Sequence, residues 1–137
     1  MRRLLLAAVA MFPALAHAES VLRIVPQSDL RVLDPHITAA TITQIYARMV
    51  YDTPYAFDEA MRPQPQMVGS HTVSPDGLTH DFTLRDGLRF QNGQPVTAAD
   101  VVASLTRGAK QDQLLQLMMQ RKTSFTAVDA KTFRIVF

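Results

Sequence analysis

Asp76-Gly77-Leu78-Thr79-His80-Asp81-Phe82-Thr83-Leu84-Arg85-Asp86-Gly87-Leu88-Arg89-Phe90 continues through Gln91-Asn92-Gly93-Gln94-Pro95-Val96 into Thr97-Ala98-Ala99-Asp100-Val101-Val102-Ala103-Ser104-Leu105-Thr106-Arg107. Ser74-Pro75-Asp76-Gly77 just before it has Pro and Gly where a type I turn with a following bulge wants them. Leu78, His80, Phe82 and Leu84 then alternate with Thr79, Asp81 and Thr83, which predicts a strand with one buried face. Arg85-Asp86-Gly87 and Gln91-Asn92-Gly93 read as two more turns. Thr97 is placed to cap a helix, with Asp100 at its third position, where a carboxylate suits the positive end of the helix dipole. Val101, Val102 and Leu105 form its inner stripe, and Gly108 is placed to end it.

Beyond Gly108, Gln111 to Arg121 reads as a Leu- and Met-rich helix. Thr123 to Val128 and Thr132 to Phe137 read as a hairpin about Asp129-Ala130-Lys131. Toward the N-terminus, Val21-Leu22-Arg23-Ile24-Val25 reads as a short buried strand. Pro26-Gln27-Ser28-Asp29 is a polar loop, and Leu33-Asp34-Pro35-His36 a turn in which Pro35 holds Asp34 out of the helical region. Ile42, Ile45, Tyr46, Met49 and Val50 make one apolar helical stripe. Thr41 is the expected cap, and Gln44 three residues later completes a capping box. Pro54 stops this helix. Tyr55 to Asp58 is a candidate short strand, and Arg62 to Gln66 an extended polar connection.

Residues 1–18 have the layout of a secretory signal peptide. Arg2 and Arg3 precede an apolar run from Leu4 to Phe12, Pro13 breaks it, and Ala16-His17-Ala18 offers a peptidase its small residues. The run falls short of the roughly 20 apolar residues that span a bilayer, so no stable membrane span is expected after cleavage. Removing Arg2 and Arg3 from the 14 basic residues leaves 12 against 12 acidic ones, so the exported part is close to neutral. A nucleic-acid surface would need clustered Lys and Arg, which are absent. Without cysteine, an exported chain is held by its core, since disulfides and thiolate metal sites are both ruled out. Residues 19–137 suffice for one small domain. The sequence stops on Phe137 inside an apolar strand, and natural termini are usually exposed and frayed. The expectation is therefore a truncated chain.

The segments Leu33-Asp34-Pro35-His36, Val50-Tyr51-Asp52-Thr53, Asp76 to Phe90, Gly93 to Leu105, and Arg107 together resemble the N-terminal part of the family 5 solute-binding proteins of peptide, dipeptide and nickel ABC importers. Gln91-Asn92 replaces the His-Asp usual before Gly93, His71 stands where Trp is common, and His80 where Tyr is common. The resemblance implies an α/β fold, with a mixed sheet and flanking helices, forming part of the first lobe of a two-lobed periplasmic binding protein of the type II class. Residues 19–137 would be a partial N-terminal lobe. It implies a periplasmic receptor without covalent chemistry or cofactor, which binds a peptide or other small solute and delivers it to ABC importer permease subunits with their ATPase. In that family the segment after the Leu-Asp-Pro-His turn lines the ligand cleft, here Thr38, Ala39, Ala40 and Thr41. A loop entering a helix N-terminus offers free N–H groups and a positive dipole end, and two alanines let a ligand backbone approach. The same residues read equally well as an N-cap and a linker.

Other chemistry is weaker. His36, His71 and His80 are metal-ligating side chains, which keeps a nickel-type binding protein as an alternative, but they sit at no close helical or strand spacing. His80 shares the face of Leu78, Phe82 and Leu84, as a core or edge histidine would. No Gly-x-Ser-x-Gly elbow is present to support a hydrolase. The Leu114-Leu115-Leu117-Met118-Met119 patch reads as core, or as surface left bare by a missing lobe. A further alternative is a truncated product that is purely structural, since half a clamp encloses no ligand.

Overall fold

A computed structural model of the protein describes residues 21–137. The predicted signal peptide, residues 1–18, lies outside them. The elements in order are α1 (Thr41–Val50), β1 (Tyr55–Phe57), β2 (Pro63–Pro65), β3 (Val68–Val73), β4 (Thr79–Leu84), α2 (Ala98–Gly108), α3 (Gln113–Gln120), β5 (Ser124–Ala127) and β6 (Thr132–Val136). The α/β class expected from the sequence is what the chain adopts. Strands β1 and β2 form a ribbon, and the other four a sheet in the order β3-β4-β6-β5. Every strand pair among the described residues is antiparallel. The mixed sheet implied by the resemblance is therefore not seen in this part of the chain.

The turns form as their residues dictate. Gly77, Gly87 and Gly93 have φ of 73°, 78° and 84°, a region that side chains with a Cβ rarely enter. The first turn closes with Gly77 N–H donating to Ser74 O at 2.9 Å, and the third with Gly93 N–H donating to Phe90 O at 2.8 Å. Thr97 and Asp100 form the predicted cap, Asp100 Oδ2 accepting from Thr97 N at 2.8 Å and from Thr97 Oγ1 at 2.7 Å. The hairpin at residues 129–131 also forms, with Asp129 Oδ1 accepting from the backbone N–H of Lys131 and Thr132, each at 2.7 Å.

The core lies between the sheet and α2. Phe133 is 2 % exposed and stacks on Phe82, its partner across β4 and β6, at 5.0 Å between centroids. Met67, Val68, Leu84, Ala98 and Val101 complete the buried cluster. Burying such side chains is worth about 1.5–3 kcal/mol each for the larger ones, the main force holding this half together. Ala98 N–H donates to Ala130 O at 2.9 Å, so the start of α2 is pinned to the β5–β6 turn.

Several expectations give way. Val21 to Val25 belongs to no strand and is exposed throughout, having no strand beside it among the described residues. Residues 62–66, read as a connection, contain β2, whose outer edge needs no N–H donors and so tolerates Pro63 and Pro65. The β3 edge strand escaped the sequence reading because Ser70-His71-Thr72 puts three polar residues in a row and a register shift between Val68 and Ser70 breaks the alternation. Gly108 ends no helix through a left-handed cap. It is the last residue of α2, followed by Ala109 in the right-handed region. A Cβ there would lie 3.3 Å from Leu115 Cδ1 and 3.8 Å from the His36 ring, so its small size serves packing.

Candidate ligand-binding segment

The segment from Val32 to Thr43 is built by short polar contacts. Asp34 Oδ1 accepts from His36 N–H at 2.9 Å, and Ile37 N–H returns to Asp34 O at 3.2 Å, the turn that Asp-Pro predicts. Thr38 Oγ1 then accepts from Ala40 N–H at 3.1 Å. The helix begins one residue earlier than expected. Ala40 is the N-cap and Thr41 the first helical residue, with no side-chain cap. Gln44 does not close a capping box. Its amide donates outward, to Thr38 O at 3.0 Å and Pro35 O at 3.2 Å. The apolar stripe turns inward only in part: Thr43 and Ala47 are the buried residues of α1, Ile42 and Tyr46 are half-buried, and Ile45, Met49 and Val50 are exposed.

The four residues singled out by the resemblance come together at this helix start. Ala39, Ala40 and Thr41 are exposed and Thr38 is half-buried. The first-turn N–H groups of Thr41, Ile42 and Thr43 have no acceptor among the described residues. Beside them lies a cleft of about 260 Å³, lined by Asp29, Arg31, Thr38, Ala40, Ile42 and Thr43 among others. Open N–H groups and the dipole give it an affinity for a carboxylate or carbonyl oxygen. Its volume is below the roughly 300–1,000 Å³ of a complete small-molecule site.

Two further clusters were not read from the sequence. The Arg107 guanidinium forks onto Asp34: Nη1 donates to Oδ1 at 3.2 Å and Nη2 to Oδ2. Nη1 also lies 3.2 Å from His36 Nδ1, which must then be the unprotonated nitrogen. Arg107 holds the Asp34 carboxyl below its ordinary value, helped by the His36 N–H bond. A second cleft of about 600 Å³ borders this cluster, lined in part by Ile37, Thr106, Lys110 and Gln111.

The other cluster joins His71 on β3 to His80 on β4, with Nε2 and Nδ1 3.0 Å apart. Their rings are 24° from coplanar with centroids 5.2 Å apart, close to the N···N distance plus two ring radii. They therefore point at each other in a hydrogen bond and do not overlap face to face. His80 Nε2 is 3.2 Å from Gly77 O and carries the proton there. His80 Nδ1 is then the acceptor and His71 Nε2 the donor. Burial, and secondarily His80, push His71 below the ordinary imidazole range. His36 lies apart, beside Arg107. The three histidines thus share no site, and among the described residues no three His, Cys, Asp or Glu side chains gather as a metal would need.

The family described as bacterial extracellular solute-binding proteins, family 5 Middle, matches residues 62–137. A probable peptide ABC transporter periplasmic-binding protein, y4tO of Sinorhizobium fredii NGR234, is 45 % identical over 107 residues, covering 78 % of this chain and 20 % of the relative. The glutathione-binding protein GsiB of Salmonella typhi is 36 % identical over 112 residues, covering 82 % and 22 %. Among solved structures, the binding protein MoaA of A. tumefaciens R10 in complex with mannopinic acid superposes with a TM-score of 0.67 at 28 % identity, over 80 % of this chain and 23 % of MoaA. The chain spans about a fifth of the length of the curated relatives it matches. No helix among the described residues is long and apolar enough to cross a membrane. With more than half of its length, and the whole run of glycine turns and capped helix, inside the matched region, the chain belongs to the family 5 bacterial extracellular solute-binding proteins.

Proposed function

We propose that this chain forms part of the first lobe of a periplasmic receptor that binds a peptide or similar small solute for ABC-transporter uptake. Residues 1–18 direct export and are removed, and residues 19–137 form the partial N-terminal lobe. Thr38, Ala39, Ala40 and Thr41 meet the ligand. The observation that carries this reading is the uncapped, exposed start of α1, whose free N–H groups stand beside an open cleft lined by Thr38 and Ala40. It is supported by relatives named for peptide and glutathione binding. The chemistry is hydrogen bonding alone: backbone N–H groups donate to ligand carbonyl or carboxylate oxygens, and the alanines admit the ligand main chain. Release to the permease subunits would draw on ATP hydrolysed by their ATPase partners, not on this chain.

Isothermal titration of the exported chain with a mixture of di- to pentapeptides tests the binding. Heat that disappears in an Ala39→Leu, Ala40→Leu double variant is the expected result. A cooperatively folded chain that gives no heat with any peptide overturns the assignment of these four residues. The mass of the protein recovered from the periplasm tests the processing, and the expected first residue is Glu19.

A further inference from the structure

The proposed binding segment is a small unit with few attachments to the rest of the molecule. Within it, Thr43 Oγ1 donates to Val32 O at 2.7 Å and the Gln44 amide to Pro35 O and Thr38 O, so loop and helix move as one. Outside it, α1 packs on no other element as β3, β4, β5, β6 and α2 pack on each other. Its apolar residues Ile45, Met49 and Val50 are exposed. The backbone through residues 51–54 is one attachment to the sheet. Arg48 adds a looser contact, standing 6.0 Å over the Phe57 ring of β1. The attachment by hydrogen bonds is Arg107. It stands in the last turn of α2, a helix whose first residue is pinned to the β5–β6 turn. From there it holds both oxygens of Asp34 and approaches His36 Nδ1. The adjacent Gly108 leaves room for the His36 ring, which a side chain there would crowd along with Leu115.

We propose that Arg107 is a positioning residue for ligand binding: it fixes the Thr38–Thr41 segment against the sheet, although it lies outside the 260 Å³ cleft these residues border. This rests on the assignment of those four residues to the ligand. The fork matters chemically. A guanidinium binds a carboxylate through two parallel bonds and so sets its orientation, whereas an ammonium is a point charge that leaves it free to turn. A binding loop displaced by about 1 Å loses much of its affinity even when every contact residue is intact.

The test is hydrogen exchange by mass spectrometry on the whole chain, comparing wild type with Arg107→Gln, Arg107→Lys and, as a second route, Asp34→Asn, each with and without trialanine. In Arg107→Gln and Asp34→Asn, exchange over residues 32–44 is expected to quicken by about tenfold or more, while β4 and β6 keep their rates. Arg107→Lys falls between. Trialanine is expected to slow residues 38–43 in the wild type and to lose that effect in Arg107→Gln, with partial rescue in Arg107→Lys. Unchanged rates over residues 32–44 overturn the proposal. So does an equal acceleration across the sheet, which would make Arg107 a general stability residue. If trialanine protects nothing in the wild type and the titration with di- to pentapeptides gives no heat, the binding assignment fails, and the clamp is judged on the ligand-free rates alone.

Discussion

The half of the molecule formed by β3 to β6 and α2 and the half formed by the Val32–Thr43 loop and α1 are held by different forces. In the first, Phe133, Leu84, Val101 and Ala98 are sealed between sheet and helix, and polar groups mostly finish turns and caps. In the second, Leu33, Ile37, Ile45, Met49 and Val50 are exposed, and Thr43, 1 % exposed, is one of only two buried residues on the helix. Position there is set by hydrogen bonds and one ion pair. Hydrophobic burial is strong and tolerant of small displacements, whereas polar anchors are individually weak but directional. A rigid scaffold carrying a polar-tethered loop combines stability in one half with a precisely aimed surface in the other.

The sharpest way to break this contrast is to cut each half at its own anchor. Phe133→Ala should cost about 3–5 kcal/mol, read as a fall in the denaturant midpoint, and should loosen the whole sheet. Thr43→Val keeps the shape but leaves Val32 O without its donor. It should cost about 1–2 kcal/mol and speed amide exchange over residues 32–44 far more than in β6. A global loss from Thr43→Val as large as that from Phe133→Ala would erase the distinction.

A smaller effect is pH-dependent and confined to the sheet. His71 is held below its ordinary 6.5, so the unfolded chain takes up a proton there before the folded chain does. The stability it contributes is fully present above about pH 6.5 and is lost as pH falls through the lowered folded value. Melting temperatures between pH 7.5 and pH 5 should therefore drop more for the wild type than for His71→Phe. Equal slopes would remove the histidine pair from the account. The smallest change is expected on the open face of α1, where Ile45→Ala and Met49→Ala should each shift stability by less than about 0.5 kcal/mol. A loss of several times that would mean the stripe is covered in solution.

The same contrast explains what could be read in the sequence. Gly77, Gly87 and Gly93, the Thr97–Asp100 cap and the Asp129 turn act through neighbours a few residues away, so each was legible. The α1 stripe was legible as a pattern but not as a direction: periodicity tells which face is apolar, not which face finds a neighbour. Strand β2 was hidden by its prolines and β3 by its bulge. At the site, Thr38 to Thr41 were reached through the family resemblance, while the helix start at the expected cap itself, with Ala40 as the N-cap, was not foreseen. Arg107 meets Asp34 across 73 residues, and no local pattern encodes such a meeting. The pairing of His71 with His80 depends on the β3–β4 register, which sets His71 opposite Phe82 and His80 opposite Val73.

The two prolines of β2 have a consequence of another kind. Asp58 N–H bonds Arg62 O and Gln66 N–H bonds Pro54 O, so by antiparallel alternation Ala56 and Gln64 are the next hydrogen-bonded pair. Pro63 and Pro65 therefore turn their nitrogens to the outer edge of the ribbon, where a third strand would look for donors and find none. At this border, a passing strand has nothing to copy.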